Sequence, residues 1–194
     1  MRPIAARSVL FAIALASFPP VALAAPPDSR DIAVAIHRDG EAYVVDVAFS
    51  VDATLQEAWS VLTDYDHMSE FVSNLTMSRI IHRASDSLEV AQTSHLKIGF
   101  IDLKFDTVRK VEFVPLQEIR SKLVRGGMKK SAFTTRLAAE GDMTRITNHG
   151  RFIPDRWIPP LIGIPMLEAE TRKQFAELRA EVLRREGSRS TNPE

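Results

Sequence analysis

Apolar and polar residues alternate along most of the chain after residue 30, which is the pattern of β-strands with one buried face. The segments 31–37 and 43–50 both show this alternation. They flank Asp39-Gly40, a residue pair typical of tight hairpin turns. The pattern therefore predicts that the first sheet element is a hairpin.

Further strands are predicted after residue 75. The clearest is 101–113, where apolar residues at odd positions alternate with polar residues. Consecutive strands joined by short turns, such as the one at Gly126-Gly127, favour an antiparallel meander over strand-helix-strand units. The predicted strands are 76–84, 88–100, 101–113, 118–124, 131–137 and 143–152.

Helical spacing of apolar residues occurs in two places, just after residue 51 and between residues 165 and 185. A capping residue, Asp52 or Thr54, precedes an apolar set at helical spacing, and the segment 64–66 breaks this helix before a second short one. The segment 165–185 is amphipathic and predicts a helix of roughly 30 Å. Its apolar side consists of Leu167, Phe175, Leu178, Val182 and Leu183.

The segment 152–165 is unusually apolar for a loop and contains four prolines, which argue against an ordinary strand or helix through it. Two interpretations stay open. The segment either plugs one end of the fold under the last helix, or forms an apolar lip through which lipid enters. In the second case Trp157 would make transient contact with a membrane interface.

The stretch from 51 to 71, with Trp59 and Asp64-Tyr65-Asp66, resembles the opening of the START-like (SRPBCC) superfamily, which includes the polyketide cyclase/dehydrase and coenzyme Q-binding families. The resemblance covers about 45–185. It implies an α+β helix-grip fold: a curved antiparallel sheet of about six to eight strands, two short helices after the first sheet element and a long C-terminal helix. Members carry lipids and sterols, bind ubiquinone or hormones, or cyclise polyketides, so the fold leaves function open.

The same resemblance implies a cavity between the sheet and the last helix. Nearly every central strand places one polar side chain among apolar ones on the predicted concave face. An unpartnered polar group in a dry core costs about 1–3 kcal/mol, whereas a cavity removes that cost. The alternative is that these groups bond to each other, or that the register is off by one and they face solvent. The candidate ligand-binding residues are Gln92, Ser94, Phe105, Thr107, Arg109, Ser121, Phe133, Thr135, Asn148, Trp157 and Phe175.

Among the candidates, Arg109 has the most specific requirement for a bonding partner. If it faces inward it needs an anion, because an unpaired buried guanidinium is strongly unfavourable. That anion would be a protein carboxylate or the acidic head of a ligand. A surface position beside Lys110, at a bulge, is the preferred interpretation.

The first residues bear on where the protein acts. Arg2 and Arg7, an apolar run over 9–16 and the small-residue end at Ala24 are the pattern of a secretory signal peptide, cleaved after Ala24. A retained membrane anchor is the alternative. With no cysteine, neither a disulfide nor a lipoprotein anchor can form. The predicted plan is a signal peptide (1–24), a linker (25–30), a START-like domain (31–186) and a disordered tail (187–194), in the periplasm or secreted.

The charge balance and the absence of known motifs reduce the number of possible functions. The chain has 25 basic and 25 acidic residues, and cleavage would leave 23 against 25, which gives no support to nucleic acid as a partner. The sequence contains no nucleophile elbow, phosphate-binding glycine loop or zinc helix, and its five histidines are scattered. We therefore predict no catalytic residue, metal or cofactor.

Three functional hypotheses follow. The preferred one is an exported protein that binds or carries a hydrophobic or amphipathic small molecule, such as a lipid, a quinone or an aromatic metabolite. The second is a cyclase or dehydratase that acts on an aromatic or polyketide-like substrate in the same cavity, with Tyr65, Arg109 and His149 as its proton-transfer groups. The third is an interaction module with a filled core.

Overall fold

A computed structural model describes residues 31–98, 101–155 and 160–190. The predicted signal peptide and linker, as well as Trp157, lie outside the described residues. The strands are β1 (Ala33–Asp39), β2 (Ala42–Val51), β3 (Leu75–Arg83), β4 (Ser87–Ile98), β5 (Ile101–Val114), β6 (Glu118–Gly126), β7 (Met128–Glu140) and β8 (Met143–Pro154). The helices are α1 (Leu55–Leu62), α2 (Met68–Phe71) and α3 (Pro160–Ser190).

These strands form one antiparallel sheet in the order β1-β2-β8-β7-β6-β5-β4-β3. The predicted hairpin at its start is confirmed, with Gly40 in the left-handed region at a φ of 61°. Because β2 pairs with β8, the N-terminal hairpin extends the meander β3 to β8 on the side of its last strand.

Local sequence signals explain where α1 begins. Thr54 is the N-cap residue, and its hydroxyl accepts a hydrogen bond from the backbone N–H of Glu57 at 3.3 Å. The Glu57 carboxylate in turn accepts from the N–H of Thr54 at 2.9 Å, which completes a capping box. Trp59 on this helix packs edge-on against Phe113 of β5, with 5.8 Å between the ring centroids.

The apolar side of α3 faces the sheet, as predicted. Leu178 and Val182 are buried in the core, and Leu167, Phe175 and Leu183 pack against it. Phe175 meets Phe49 of β2 edge-on, with 5.9 Å between the ring centroids. The α+β helix-grip fold predicted from the sequence is thereby confirmed.

The start and end of α3 differ from the prediction. The helix begins at Pro160 and runs through Pro165, whereas the four prolines predicted no helix over 152–165. Pro160 occupies the first position, where the backbone N–H would have no partner in the helix. Pro165 lacks only the N–H that would bond to the carbonyl of Leu161, and this missing bond lies in the first turns of the helix. At the other end, α3 passes Gly187, where the sequence predicts a disordered tail, and continues to Ser190.

None of the helices within the described ranges is long and apolar enough to cross a membrane.

Candidate ligand-binding site

A cavity of about 320 Å³, partly open to solvent, lies between the concave face of the sheet and the helices α2 and α3. Nine of the predicted site residues line it: Gln92, Ser94, Thr107, Arg109, Ser121, Phe133, Thr135, Asn148 and Phe175. Their role in ligand binding remains a prediction. Phe105 does not line the cavity, because its ring lies against the backbone of Gly127, where an added Cβ would be 3.1 Å from the ring.

The predicted binding residues omit most of the lining that comes from the helices: Phe175 of α3 is among them, but Tyr65 is named only for the enzyme hypothesis. Tyr65, Met68 and Asn74 enter from the region around α2, and Thr171 and Gln174 enter from α3. A signal for the α3 residues exists in the sequence. Both are polar positions at helical spacing within the apolar stripe of that helix. A polar residue on the buried stripe of a helix is the counterpart of a polar residue on the concave face of a strand.

Arg109 faces the cavity, which corrects the preferred prediction of a surface position. Its Nε donates to the Ser121 hydroxyl at 2.6 Å, and its Nη1 donates to the Ser131 hydroxyl at 3.1 Å. Its Nη2 donates to the backbone carbonyl of Ser121 at 3.3 Å. The guanidinium also lies over the ring of Phe133, 5.5 Å from the ring centroid.

The bulge expected near Arg109 exists, but it lies in the neighbouring strand. Val108 pairs with Arg125 and Arg109 with Leu123, so the extra residue is Val124 of β6. On the other side, the pairing of β5 with β4 is uninterrupted through Arg109. The phase of β5 is therefore unchanged, and Arg109 remains on the same face as Thr107.

The electrostatic environment of Arg109 is that of a desolvated cation. Burial lowers its pKa to about 10, and Tyr65 opposes this shift. Burial also raises the pKa of the Tyr65 hydroxyl, while the charge of Arg109 lowers it. At neutral pH the arginine is therefore charged and the tyrosine is neutral. No carboxylate of the described residues lies within ion-pair distance of Arg109.

Other polar groups of the cavity wall have hydrogen-bond partners within the protein. The amide nitrogen of Asn148 donates to the Thr135 hydroxyl at 2.8 Å, and that of Gln92 donates to the Ser78 hydroxyl at 3.2 Å. The amide oxygen of Asn74 is buried and has no hydrogen-bond partner. Mutual bonding, the alternative interpretation of the polar positions, thus accounts for some of these groups and not for all.

Polar contacts fasten the helices over the cavity. The Glu177 carboxylate on α3 accepts from the backbone N–H of Ser73 at 2.9 Å and from its hydroxyl at 2.6 Å, just after α2. Arg185 donates to Asp64, which precedes α2, at 2.8 Å. On the opposite side of the fold, the Glu168 carboxylate accepts from the backbone N–H of Ile36 in β1 at 3.2 Å. These bonds connect α3 to the segments on either side of α2 and, across the fold, to β1.

His149 lies on the outer face of the sheet. Its side chain is 59 % exposed, and its Nδ1 is 2.7 Å from the carboxylate of Asp46. His149 is therefore not one of the cavity residues, in contrast to the enzyme hypothesis. In the part of the chain that the structure describes, no three histidine or acidic side chains are placed to hold a metal ion.

Comparisons with family models and with solved structures relate the chain to known proteins. The family model described as polyketide cyclase/dehydrase and lipid transport matches residues 51–185. A comparison with curated proteins found no match.

Solved structures share the fold at low sequence identity. A START superfamily protein from Mycobacterium smegmatis is 12 % identical, with a TM-score of 0.63 over 73 % of this chain and 97 % of that one. A STAR-related lipid transfer protein from Xanthomonas axonopodis is 12 % identical, with a TM-score of 0.62 over 77 % and 98 %. A Streptomyces aromatase/cyclase is 14 % identical, with a TM-score of 0.60 over 78 % and 97 %.

Proposed function

The chain belongs to the polyketide cyclase/dehydrase and lipid transport family and has the START-like fold predicted from its sequence. From that premise, we propose that it binds and carries a hydrophobic or amphipathic small molecule in the cavity between the sheet and α3. The lipid transfer protein among its structural neighbours supports a binder of this class.

The composition of the cavity wall is the observation that carries the proposal. Apolar residues such as Phe152, Phe175 and Leu178 supply much of its surface, with a few hydroxyl, amide and guanidinium groups among them. Pockets for small molecules have this composition. A volume of about 320 Å³ is also far larger than the roughly 10–15 Å³ that a single water requires by the same measure, which supports a ligand-binding cavity over a filled core.

The same wall favours binding over acid–base catalysis. None of the described residues that line the cavity is a histidine, an aspartate or a glutamate. The titratable side chains that line it are Tyr65 and Arg109, and both keep their protons at neutral pH. A proton donor or acceptor matched to neutral pH, which general acid–base catalysis requires, is therefore not among the described lining residues.

Filling the cavity tests this function. In Thr171→Trp an indole would occupy the space between α3 and the sheet, and we expect binding of a hydrophobic probe such as dodecan-1-ol to fall by about tenfold or more. Lys173→Trp is the matched control, because Lys173 is exposed on the same helix. Equal affinities of both variants and the wild type would overturn the proposal.

Identification of the ligand tests the same proposal directly. We expect native mass spectrometry of protein purified from its own host to show a bound species, and organic extraction of that sample to release a lipid, quinone or aromatic metabolite. Recovery of empty protein that binds none of these classes would contradict it.

We further propose that the protein is exported and exchanges its ligand at an anionic membrane. The signal-peptide pattern supports export, and the predicted result is a mature protein that begins at Ala25 by mass spectrometry. Membrane contact is supported by the start of α3, where Leu161 is 93 % and Ile162 is 63 % exposed. The pairing of Met128 with Pro154 places the β6–β7 turn beside the end of β8, and that turn carries the exposed basic residues Arg125, Lys129 and Lys130.

Vesicle binding tests the membrane proposal. We expect the protein to sediment with vesicles that contain phosphatidylglycerol, and the double variant Leu161→Ser/Ile162→Ser to sediment less. Equal recovery of both proteins, or equal binding to purely zwitterionic vesicles, would contradict it.

A further inference from the structure

Arg109 lines the cavity and has unused hydrogen-bonding capacity. A guanidinium group carries five N–H bonds. Three of them are accounted for by the two contacts with Ser121 and the contact with Ser131. The remaining two belong one to each terminal nitrogen, Nη1 and Nη2, and find no acceptor among the described residues. The existing bonds anchor the guanidinium and leave one N–H on each terminal nitrogen for a further partner.

A second donor without a partner lies in the same cavity. The side chain of Tyr65 is nine-tenths buried, at 9 % exposure, and it lines the cavity together with Arg109. Its backbone N–H bonds to the carbonyl of Thr63, but its hydroxyl makes no hydrogen bond to a described residue. Arg109 and Tyr65 therefore both offer unused N–H or O–H bonds in one space, which the unpartnered amide oxygen of Asn74 also lines.

We propose that Arg109 and Tyr65 bind the carboxylate of an amphipathic acid whose apolar tail fills the rest of the cavity. This inference rests on the proposed function and adds the chemical class of the ligand to it. A carboxylate presents two oxygens at the spacing of two parallel guanidinium N–H bonds, which gives a bidentate pair. The Tyr65 hydroxyl would donate to one of those oxygens as well.

Charge selects an anion over a neutral head. A buried guanidinium without a counter-ion is unfavourable, and a bound carboxylate supplies the missing charge. The ring of Phe133 covers one face of the group, with 5.5 Å between Arg109 Cζ and the ring centroid. The ligand would therefore approach in the plane of the guanidinium, because its unused N–H bonds lie in that plane.

The number of charges selects a single negative charge. Among the described residues that line the cavity, Arg109 is the one that carries a formal charge at neutral pH. A dianionic phosphate monoester would bring one negative charge more than the cavity neutralises. The apolar wall formed by residues such as Val45, Ile119, Phe152 and Leu178 requires a tail in addition to the head, so a small free anion does not fill the site.

Titration calorimetry with four probes tests the inference at pH 8, below the micelle concentration of each amphiphile. The probes are dodecanoate, dodecan-1-ol, dodecyl phosphate and acetate. We expect dodecanoate to bind about tenfold or more tightly than the alcohol, because charged hydrogen bonds exceed neutral ones. We expect dodecyl phosphate to bind more weakly than dodecanoate, and acetate to give no measurable binding.

Variants assign the preference to the named groups. Arg109→Met should remove the preference for dodecanoate over dodecan-1-ol, and Arg109→Lys should restore only part of it, because an ammonium lacks the fork. Tyr65→Phe should weaken dodecanoate severalfold and leave dodecan-1-ol unchanged. Arg151→Met is the matched control, since Arg151 is a surface arginine paired with Asp39 at 2.9 Å, and it should match the wild type.

The outcomes separate the two proposals. Equal binding of dodecanoate and dodecan-1-ol by the wild type, or an unchanged preference in Arg109→Met, would overturn the carboxylate site and leave the hydrophobic carrier standing. Failure of both amphiphiles to bind would overturn the proposed function and this inference with it. If Arg109→Met does not fold, as judged by circular dichroism, Arg109→Lys and Tyr65→Phe decide the matter.

Discussion

The ring of Phe133 occupies the place where a side chain at Gly150 would stand. A Cβ added to Gly150 would lie 1.9 Å from Cδ1 of Phe133, its cross-strand partner in β7. The same ring carries the guanidinium of Arg109 on its face. The missing side chain at Gly150 thus sets the position of Phe133, and Phe133 contributes to the position of Arg109.

Replacement of this glycine is expected to disturb both the wall and the site. Gly150→Ala should lower the free energy of unfolding by about 1–3 kcal/mol, measured by urea denaturation, because the new methyl group collides with the ring in a packed sheet. Binding of dodecanoate should weaken in parallel. The double variant Gly150→Ala/Phe133→Leu should be destabilised by less than the sum of the two single variants. Additive effects would show that the contact does not couple the two positions.

Removal of the buried charge should leave stability unharmed. In Arg109→Met we expect an unchanged free energy of unfolding at pH 7, or an increase of up to about 1 kcal/mol, because a buried unpaired cation is replaced by an apolar chain. The folded-state pKa of about 10 lies below the ordinary 12.5, so the charged form opposes folding, and this cost is complete below about pH 10 and falls as the pH rises from there towards 12.5. Urea denaturation at pH 7 and above pH 10 measures both effects. A large loss of stability at pH 7 would show that Arg109 is structural.

The hydrogen bonds between Glu177 of α3 and Ser73, two residues after α2, should control how firmly the cavity is closed. Glu177→Ala removes the acceptor for the N–H and the hydroxyl of Ser73, and we expect a loss of about 0.5–1.5 kcal/mol in the free energy of unfolding. Amide hydrogen exchange over 68–74 should accelerate. Glu177→Gln, which keeps one acceptor, should lie between the two proteins. Exchange that rises equally throughout the chain would contradict a local role.

The pair of His67 and Asp64 predicts a pH-dependent contribution to stability. The Asp64 carboxylate, 2.7 Å away, bonds to the imidazole and raises the pKa of His67 above its ordinary 6.5. Burial favours protonation of Asp64, but hydrogen bonds from His67 and Arg185 hold the pKa of its carboxyl below the ordinary 3.8.

The direction of each pKa shift determines the pH range over which the group stabilises the folded protein. The contribution of His67 is complete below pH 6.5 and is lost as the pH rises through its raised folded pKa. That of Asp64 is complete above pH 3.8 and is lost as the pH falls through its lowered folded pKa. His67→Ala should therefore destabilise the protein at pH 5 and have little effect at pH 9, measured as the shift of the urea midpoint. An equal shift at both pH values would contradict an ionic contribution.

The sequence predicts the strands of this protein better than it predicts the side on which Arg109 lies. Alternation with a period of two identifies each strand, and the turn residues at Asp39-Gly40 and Gly126-Gly127 separate them. A bulge reverses that alternation only in the strand that contains it. The extra residue is Val124 in β6, so β5 keeps its phase, and the sequence of β5 alone does not reveal which strand holds the bulge.

The helical side of the cavity was harder to predict for a different reason. An amphipathic pattern shows which stripe of α3 faces the sheet, but it does not show where the stripe stands clear of the sheet and leaves a void. Thr171 and Gln174 lie at such a place, and their polarity was the available signal. Tyr65 and Asn74 flank α2, a helix of four residues, in segments too irregular for any periodicity to orient them.

The pairing of β2 with β8 has a consequence for the order in which the molecule assembles. Tyr43 pairs with Phe152 and Val51 with Thr144, so the paired residues of these two strands are 93 to 109 positions apart in the chain. A nascent chain that ends before residue 143 has an unpaired seam along β2 and no α3 to cover the concave face. The cavity is enclosed only when the last quarter of the polypeptide has been made. Contacts of such long sequence separation make folding slow. Until then the apolar wall has no cover, and exposed apolar surface together with an unpaired strand edge favours aggregation of the incomplete chain.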